Sequence, residues 1–413
     1  MTVEVEATVR AEPSALLAGR VAALSTHAPF AVPRDVPGRR SVHLTSGTPA
    51  PEALPRAELA EAYAAVLGDP ARGVRALQYA DSAGLPALRE ALAAREGVPV
   101  ERVIITNGAL HGTQLALHAV VGPGDVVVLD DPVFPDTRRI VESAGGVVQP
   151  VPVDRDGLDV DTLEGLLAAG TRPKAVYTVP DFHNPSGYTL AAERRERLVA
   201  LADRYGFLVV SDNPYRAHRL TGANVPDLPS TDRVVRVNTF AKSLGPGLRL
   251  GWTVAPAWLT PHLVNLRRRV DFHSAAPAQQ VAADLLARPG WFDALAERAR
   301  EIHARRATVL VGSLREHAAG LLEFDEPDGG FFVWARVVDP AVRAVDLVAA
   351  AAADGWFFAP GSAFAPTPVS TAHHHVRLAY STADLADLAE AGRAVARAAD
   401  RLRSGTPTSE APR

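Results

Sequence analysis

From about Thr48 the chain alternates helical stretches with short apolar, β-branched runs: VIIT at 103–106, VVVLD at 126–130, KAVYTV at 174–179, FLVVSD at 207–212 and VVRVNTF at 234–240. The runs are continuous rather than alternating with polar residues, the pattern of strands buried on both faces, and predict a mostly parallel sheet covered by helices. Helical stretches such as Leu190–Tyr205 fall between them. This βαβ order points to an open α/β sheet whose ligand-binding groups stand just beyond the carboxyl ends of the strands.

After residue 285 the pattern changes to Ala/Arg-rich helices (Trp291–His317, Val342–Asp354, Asp384–Leu402) with strand candidates FFVWARV at 331–337 and HHVRLAY at 374–380, which predicts a smaller α+β domain. Ahead of the large domain, one short helical candidate (Ser14–Leu24) precedes a proline-rich stretch from Pro29 to Pro37 that reads as an extended arm. The expected organisation is an arm over 1–47, a large domain over 48–285, a small domain over 286–403 and a disordered tail over 404–413, SGTPTSEAPR, which is poor in apolar residues. A chain of 413 residues exceeds what one hydrophobic core usually supports, in keeping with two domains.

Composition narrows the chemistry. A net charge of -4, spread without long like-charge runs, leaves no electrostatic footprint for nucleic acid or anionic lipid. The absence of cysteine excludes disulfides, thiolate metal sites and cysteine nucleophiles. The acidic start lacks the basic flank and apolar core of a secretory signal, and no stretch is apolar enough to span a bilayer, so a cytoplasmic protein is expected.

Three segments carry candidate chemistry. In NTFAKSLGPGLRLGW (238–252), Lys242 stands directly after a strand and Arg249 follows seven residues on. Lysine is the amine that joins an aldehyde cofactor, and a nearby cation favours its neutral form; alone, such a lysine also reads as a solvated strand end. VVSDNPYR (209–216) ends a buried strand with Asp212 and sets Tyr215 three residues later, where the carboxylate either holds a ring nitrogen protonated or caps a turn. TVPDFHNPSGYTL (178–190) adds an Asn-Pro-Ser-Gly turn after another strand.

In this order and spacing, HNPSG, SDNPYR and FAKSLGPGLRLGW resemble the class I/II aminotransferases of pyridoxal-phosphate (PLP) fold type I, in the branch of 2-aminoadipate-type and broad-specificity enzymes. The likeness runs from about Leu44 to Leu402. It implies pyridoxal 5′-phosphate as cofactor, Lys242 as Schiff-base lysine and proton shuttle, Asp212 as partner of the pyridine nitrogen, and Tyr215 and Asn184 as contacts to the ring oxygen. It also implies that Arg249, Thr239, Gly108 and the backbone N–H groups of Ala109 and Leu110 hold the phosphate, and that Phe134 stacks on the ring. Tyr79 is expected to reach the phosphate of a partner subunit, which implies a homodimer with shared active sites. Arg377 and Gly47 would bind the substrate carboxylate and Asn184 would also contact the substrate, although Arg377 by itself also reads as an exposed strand arginine.

The chain departs from its relatives at Ala109, Leu110 and Ala241, where hydroxyl or amide side chains are common, and at Phe134, often tyrosine. His183, uncommon beside Asn184, is expected to face the substrate. The consecutive His373, His374 and His375 do not suggest a metal site, because neighbouring strand residues point to opposite faces. The implied function is transfer of the amino group of an L-amino acid to a 2-oxo acid by a ping-pong mechanism. A PLP-dependent lyase or oxidase on the same fold is the alternative. An effector-sensing module of a transcription regulator is disfavoured, since the arm is too short and proline-interrupted for a helix-turn-helix.

Overall fold

The computed structural model describes residues 13–22 and 40–404. The proline-rich stretch from Pro29 to Pro37 and most of the 404–413 tail lie outside these residues. In place of the helix expected over Ser14–Leu24 stand a 3₁₀ turn, Pro13–Leu16, and one short helical turn, Gly19–Ala22.

Eight strands form the large sheet, in the spatial order Val103–Thr106, Gly251–Val254, Val234–Thr239, Leu208–Asp212, Ala175–Thr178, Val126–Asp131, Val147–Asp154 and Gly157–Leu158. The central pairs are parallel. Gly251–Val254 runs antiparallel to both of its neighbours. Val127, Val128, Leu129, Val209 and Val210 are fully buried. Each such side chain contributes roughly 1.5–3 kcal/mol relative to exposure, which is why these runs are continuous in the sequence. Helices start and stop at local signals: Asp69 accepts from the N–H groups of Ala71 and Arg72 at the head of Pro70–Ala76, and Gly206, in the left-handed region, ends Ala192–Tyr205.

Gly251 is required by packing. A Cβ there would come within 2.6 Å of Asn238 O and 2.9 Å of the Gly108 backbone, so glycine lets the antiparallel strand pass close beside the Gly108 turn.

The small domain is a four-stranded antiparallel sheet (Leu322–Phe324, Phe332–Val337, His375–Ala379, Ala359–Pro360), with helices Trp291–His317, Ala344–Ala352 and Leu385–Arg403 packed in its core. One segment departs from the expected arm. Val42–His43 pairs in parallel with Trp356–Phe357, and Val42 and Leu44 are buried in the small-domain core, because both are apolar and the Trp356–Phe357 edge offers them a partner. The chain therefore enters the small domain before it builds the large one.

Candidate active site

The carboxyl ends of the parallel strands converge on one cavity of about 370 Å³. Phe134 follows Val126–Asp131, Asn184 follows Ala175–Thr178, Asp212 and Thr239 end their strands, and Lys242 stands three residues beyond Thr239. The small domain supplies Arg377 and Phe332, and the segment Thr45–Thr48 closes the remaining wall. Among the residues expected from the sequence, the cavity is lined by Gly47, Ala109, Leu110, Phe134, Asn184, Asp212, Tyr215, Thr239, Lys242, Arg249 and Arg377.

Lys242 Nζ donates to Gly47 O at 2.7 Å. Burial lowers its pKa to about 8, Arg377 and Arg249 act in the same direction, and Asp212 opposes them. A neutral, nucleophilic amine is thus accessible near physiological pH.

Asp212 Oδ2 accepts from Tyr177 Oη at 2.8 Å, while Oδ1 is buried with no hydrogen-bond partner among the described residues. Burial raises its pKa to about 6, against the lowering pull of the Tyr177 bond and of Lys242. Tyr177, fully buried, is a site residue that sequence reasoning missed; its only signal is a phenol inside the strand run KAVYTV.

The turn carrying Asp212 and Tyr215 is braced by buried Asp181, which accepts from Arg195 Nη2 at 2.7 Å, Asn213 Nδ2 at 2.6 Å and Arg216 Nη1 at 3.1 Å. Tyr215 packs edge-on against Phe331 and Phe332, and burial raises its pKa, so its hydroxyl stays a donor.

Arg377 is 3% exposed, against the reading of an exposed strand arginine. It donates to Asn184 Oδ1 at 2.7 Å and to Thr45 O at 2.5 Å, with its guanidinium 4.0 Å from the Phe332 ring centre. Burial lowers its pKa to about 10, which leaves it charged at neutral pH. At Gly47 a Cβ would meet the Phe332 ring at 2.6 Å, so the wall beside Arg377 has no room for a larger residue.

The anion end is built on the helix Ala109–Val120, which has no side-chain cap and leaves its first N–H groups for a ligand. Gly108, at φ 79°, does not line the cavity itself but turns the chain into that helix. A Cβ on Gly108 would lie 2.9 Å from Arg249 Nη2, which donates to Asn107 O at 2.8 Å. Asn107 Nδ2 in turn donates to Asp271, which also pairs with the buried Arg267. The resemblance did not flag Asn107, Arg267 or Asp271.

One expectation is displaced. His183 does not face the substrate cavity: it is 2% exposed, with Nδ1 2.8 Å from Ser186 Oγ and Nε2 3.3 Å from Asp130, because the turn before Asn184 directs its ring behind the site. Tyr79, expected to serve a partner subunit, does not line the cavity of its own chain. It is 85% exposed, with its ring against Phe272 and His273. The histidines do not lie on one strand: His373 and His374 belong to the 3₁₀ turn Thr371–His374, and only His375, which stacks on Trp334, opens the strand that follows.

A parallel sheet whose strand ends gather a depressed-pKa lysine, a buried carboxylate and two arginines defines a fold type I PLP enzyme. The buried, unpartnered Asp212 Oδ1 and the open helix N-terminus opposite Arg249 suit a ring nitrogen at one end and a phosphate at the other, so the residues present fit pyridoxal 5′-phosphate. Residues 41–394 match the aminotransferase class I and II family, and the chain belongs to that family as a PLP-dependent enzyme of amino-group transfer. It is 32% identical to aromatic-amino-acid aminotransferase 1 of Thermococcus litoralis over 78% of this chain and 80% of that one. Among solved structures it resembles the α-aminoadipate aminotransferase LysN of Thermus thermophilus, complexed with N-(5′-phosphopyridoxyl)-L-leucine (TM-score 0.83, 30% identity, 89% of this chain and 94% of that one). It also resembles the multiple substrate aminotransferase of Thermococcus profundus (TM-score 0.86, 25% identity, 95% of this chain and 99% of that one). No described helix is long and apolar enough to cross a membrane.

Proposed function

We propose that the chain moves the amino group of an L-amino acid to a 2-oxo acid with Lys242 as both covalent anchor and proton carrier. The observation that carries this reading is the position of Lys242 Nζ in one cavity with Asp212 and Arg377. When bound, pyridoxal 5′-phosphate supplies an aldehyde for attachment and a ring that accepts electron density.

Arg377 receives the substrate carboxylate, its fork matching two oxygens. That clamp would orient the α-carbon towards Lys242 Nζ, whose neutral amine would take up the α-proton and hand it on within the site. Asp212 Oδ1 keeps the ring nitrogen protonated, and Tyr177 holds the other carboxylate oxygen in place. Tyr215 Oη and Asn184 would hold the ring oxygen, and Phe134 would stack on the ring. Arg249, Thr239 and the N–H groups of Ala109 and Leu110 take the phosphate. Because donor and acceptor carboxylates share Arg377, the first product leaves before the second substrate enters, and the kinetics are ping-pong.

The domains are the large body over 48–285 and the small one over 286–403, the latter joined by residues 42–44. A homodimer is supported by the exposed cluster Val74, Leu77, Tyr79, Val270 and Phe272, which would be covered by a second copy whose phosphate site Tyr79 completes. The expected compartment is the cytoplasm.

The deciding experiment is borohydride reduction of the cofactor-loaded protein followed by peptide mass spectrometry, with amino transfer to 2-oxoglutarate measured in parallel. Attachment at a lysine other than Lys242, or loss of the amine without stoichiometric transfer, would overturn the reading. The second result would favour lyase or oxidase chemistry.

A further inference from the structure

The turn that carries Asn184 is held by a buried side chain with no part in the chemistry assigned so far. His183 precedes Asn184 and turns its ring away from the cavity. Ser186 Oγ lies 2.8 Å from His183 Nδ1, and the Ser186 N–H points at the same nitrogen from 3.5 Å. An N–H can only donate, so Nδ1 is the acceptor and Nε2 carries the ring hydrogen. The Ser186 hydroxyl then gives its hydrogen to the ring, and its oxygen accepts from Tyr188 N at 3.3 Å. On the other side, Nε2 faces Asp130 Oδ2 at 3.3 Å, close enough for electrostatic attraction though not aligned as a hydrogen bond. That oxygen accepts from Val179 N at 3.1 Å, while Asp130 Oδ1 has no hydrogen-bond partner among the described residues, so the buried carboxylate leans on His183.

These partners sit on different elements. Asp130 belongs to the strand Val126–Asp131, which leads to Phe134, whereas His183 and Asn184 follow the neighbouring strand Ala175–Thr178. The imidazole thus ties the loop of Asn184 to the strand end from which Phe134 departs.

The backbone enters the turn in a costly conformation: Phe182 has φ 51°, in the left-handed region that an aromatic residue rarely adopts. Its ring is fully buried, with the Arg219 guanidinium 4.6 Å from the ring centre, and a Cβ on Gly329 would meet it at 2.3 Å. Such a conformation persists only where the surroundings fix it, and residues held in this way gather at sites whose geometry matters. Bonds from His183 N to Tyr188 O at 2.8 Å and from Gly187 N to His183 O at 2.7 Å close the turn. Asn184 is the side chain that this turn delivers to the cavity, where its Oδ1 accepts from Arg377 at 2.7 Å.

We infer that His183 is a positioning residue for amino transfer: braced by Asp130 and Ser186, it sets the direction from which Asn184 aims Arg377. This role rests on the assignment of Arg377 to the substrate carboxylate and of Asn184 to the ring oxygen, and it passes entirely through Asn184.

His183→Leu removes the contacts to Ser186 and Asp130. In the cofactor-loaded protein it should raise the donor KM by about two- to tenfold, the scale of a lost neutral hydrogen bond, and move the visible absorbance of the bound cofactor in the same direction as Asn184→Ala does. In the Asn184→Ala background the same substitution should change KM by less than about twofold, since residues that act through one contact are not additive. Ser186→Ala, which leaves the contact with Asp130 in place, should act in the same direction and decides the matter should His183→Leu fail to fold. Thermal melting is followed alongside. A lowered melting temperature with KM and absorbance at parent values would mark a merely structural histidine and overturn the assignment, as would equal effects in the parent and Asn184→Ala backgrounds. Arg377→Ala is the control for the function itself. If it too leaves the donor KM unchanged, the reading of the carboxylate site fails; if it raises KM while the His183 and Ser186 variants do not, only the positioning role falls.

Discussion

Arg377 Nη1 donates to Asn184 Oδ1 at 2.7 Å, and this bond spans the two domains. The arginine comes from a small-domain strand and the asparagine from a large-domain turn, so the group assigned to the substrate carboxylate is aimed by the group assigned to the cofactor ring oxygen.

Arg377→Ala should therefore raise the donor KM by about tenfold to a hundredfold, the scale of a lost charge-assisted bond, while cofactor absorbance changes little. Asn184→Ala should move both quantities, since it frees the guanidinium and removes a contact to the ring. Steady-state kinetics and visible spectra on the two variants separate these roles. An unchanged KM in Asn184→Ala would show that the bond does not aim the arginine.

Asp212→Ala should retain cofactor yet lose turnover by about a hundredfold or more, because an unpaired buried ring nitrogen does not stay protonated. Tyr177→Phe, which removes the 2.8 Å bond to Oδ2, should cost about tenfold in kcat. Because that bond lowers the Asp212 pKa, its loss should raise it further. Single-turnover rates across pH 5–8 read both effects, and a fully active Asp212→Ala would remove the carboxylate from the mechanism.

The depressed Lys242 pKa has a testable sign. Only the neutral amine attacks an aldehyde, so cofactor capture by the unloaded protein should accelerate as pH rises through about 8 and level off above it, a gain of about tenfold between pH 7 and 9. Stopped-flow absorbance gives the profile. A midpoint above 10 would mean that neither burial nor the two arginines perturbs the lysine.

Arg249→Ala should weaken cofactor affinity about tenfold to a hundredfold, because Ala109, Leu110 and Ala241 offer no side-chain donors in compensation. Asp271→Ala touches no ligand but releases Asn107, whose carbonyl holds Arg249, and should weaken affinity by about two- to tenfold. Dialysis followed by cofactor titration measures both. Parent-like retention by Arg249→Ala would assign the phosphate to other groups.

What the sequence made legible follows from where each signal is stored. The apolar runs located the strands to within a residue or two because burial on both faces keeps them mostly apolar, and Lys242, Asp212, Asn184 and Arg377 were legible because each stands in or just after a strand in a motif. The strand Gly251–Val254 was not, since it opens on glycine within the segment read for Lys242 and Arg249. Tyr177, Asp271 and Asn107 escaped because their roles depend on partners 35 to 164 residues away, which no local spacing encodes. His183 was misjudged for the opposite reason. Its neighbour Asn184 does line the cavity, but adjacent residues in a tight turn point in different directions.

The strand Val42–His43 sets a timetable for the molecule. Thr45 O and Gly47 O, which receive Arg377 and Lys242, follow a strand that is held by Trp356–Phe357 and by the bond from Ala379 N to Leu44 O. During synthesis this early segment must wait for its partners more than 300 residues downstream, on the order of tens of seconds at ribosomal speed. The large sheet can form in that interval, but the wall carrying Gly47 cannot. A chain stalled before residue 356 would thus own its lysine, its carboxylate and its anion-binding helix and still be unable to hold a substrate, so competence arrives in a single late step.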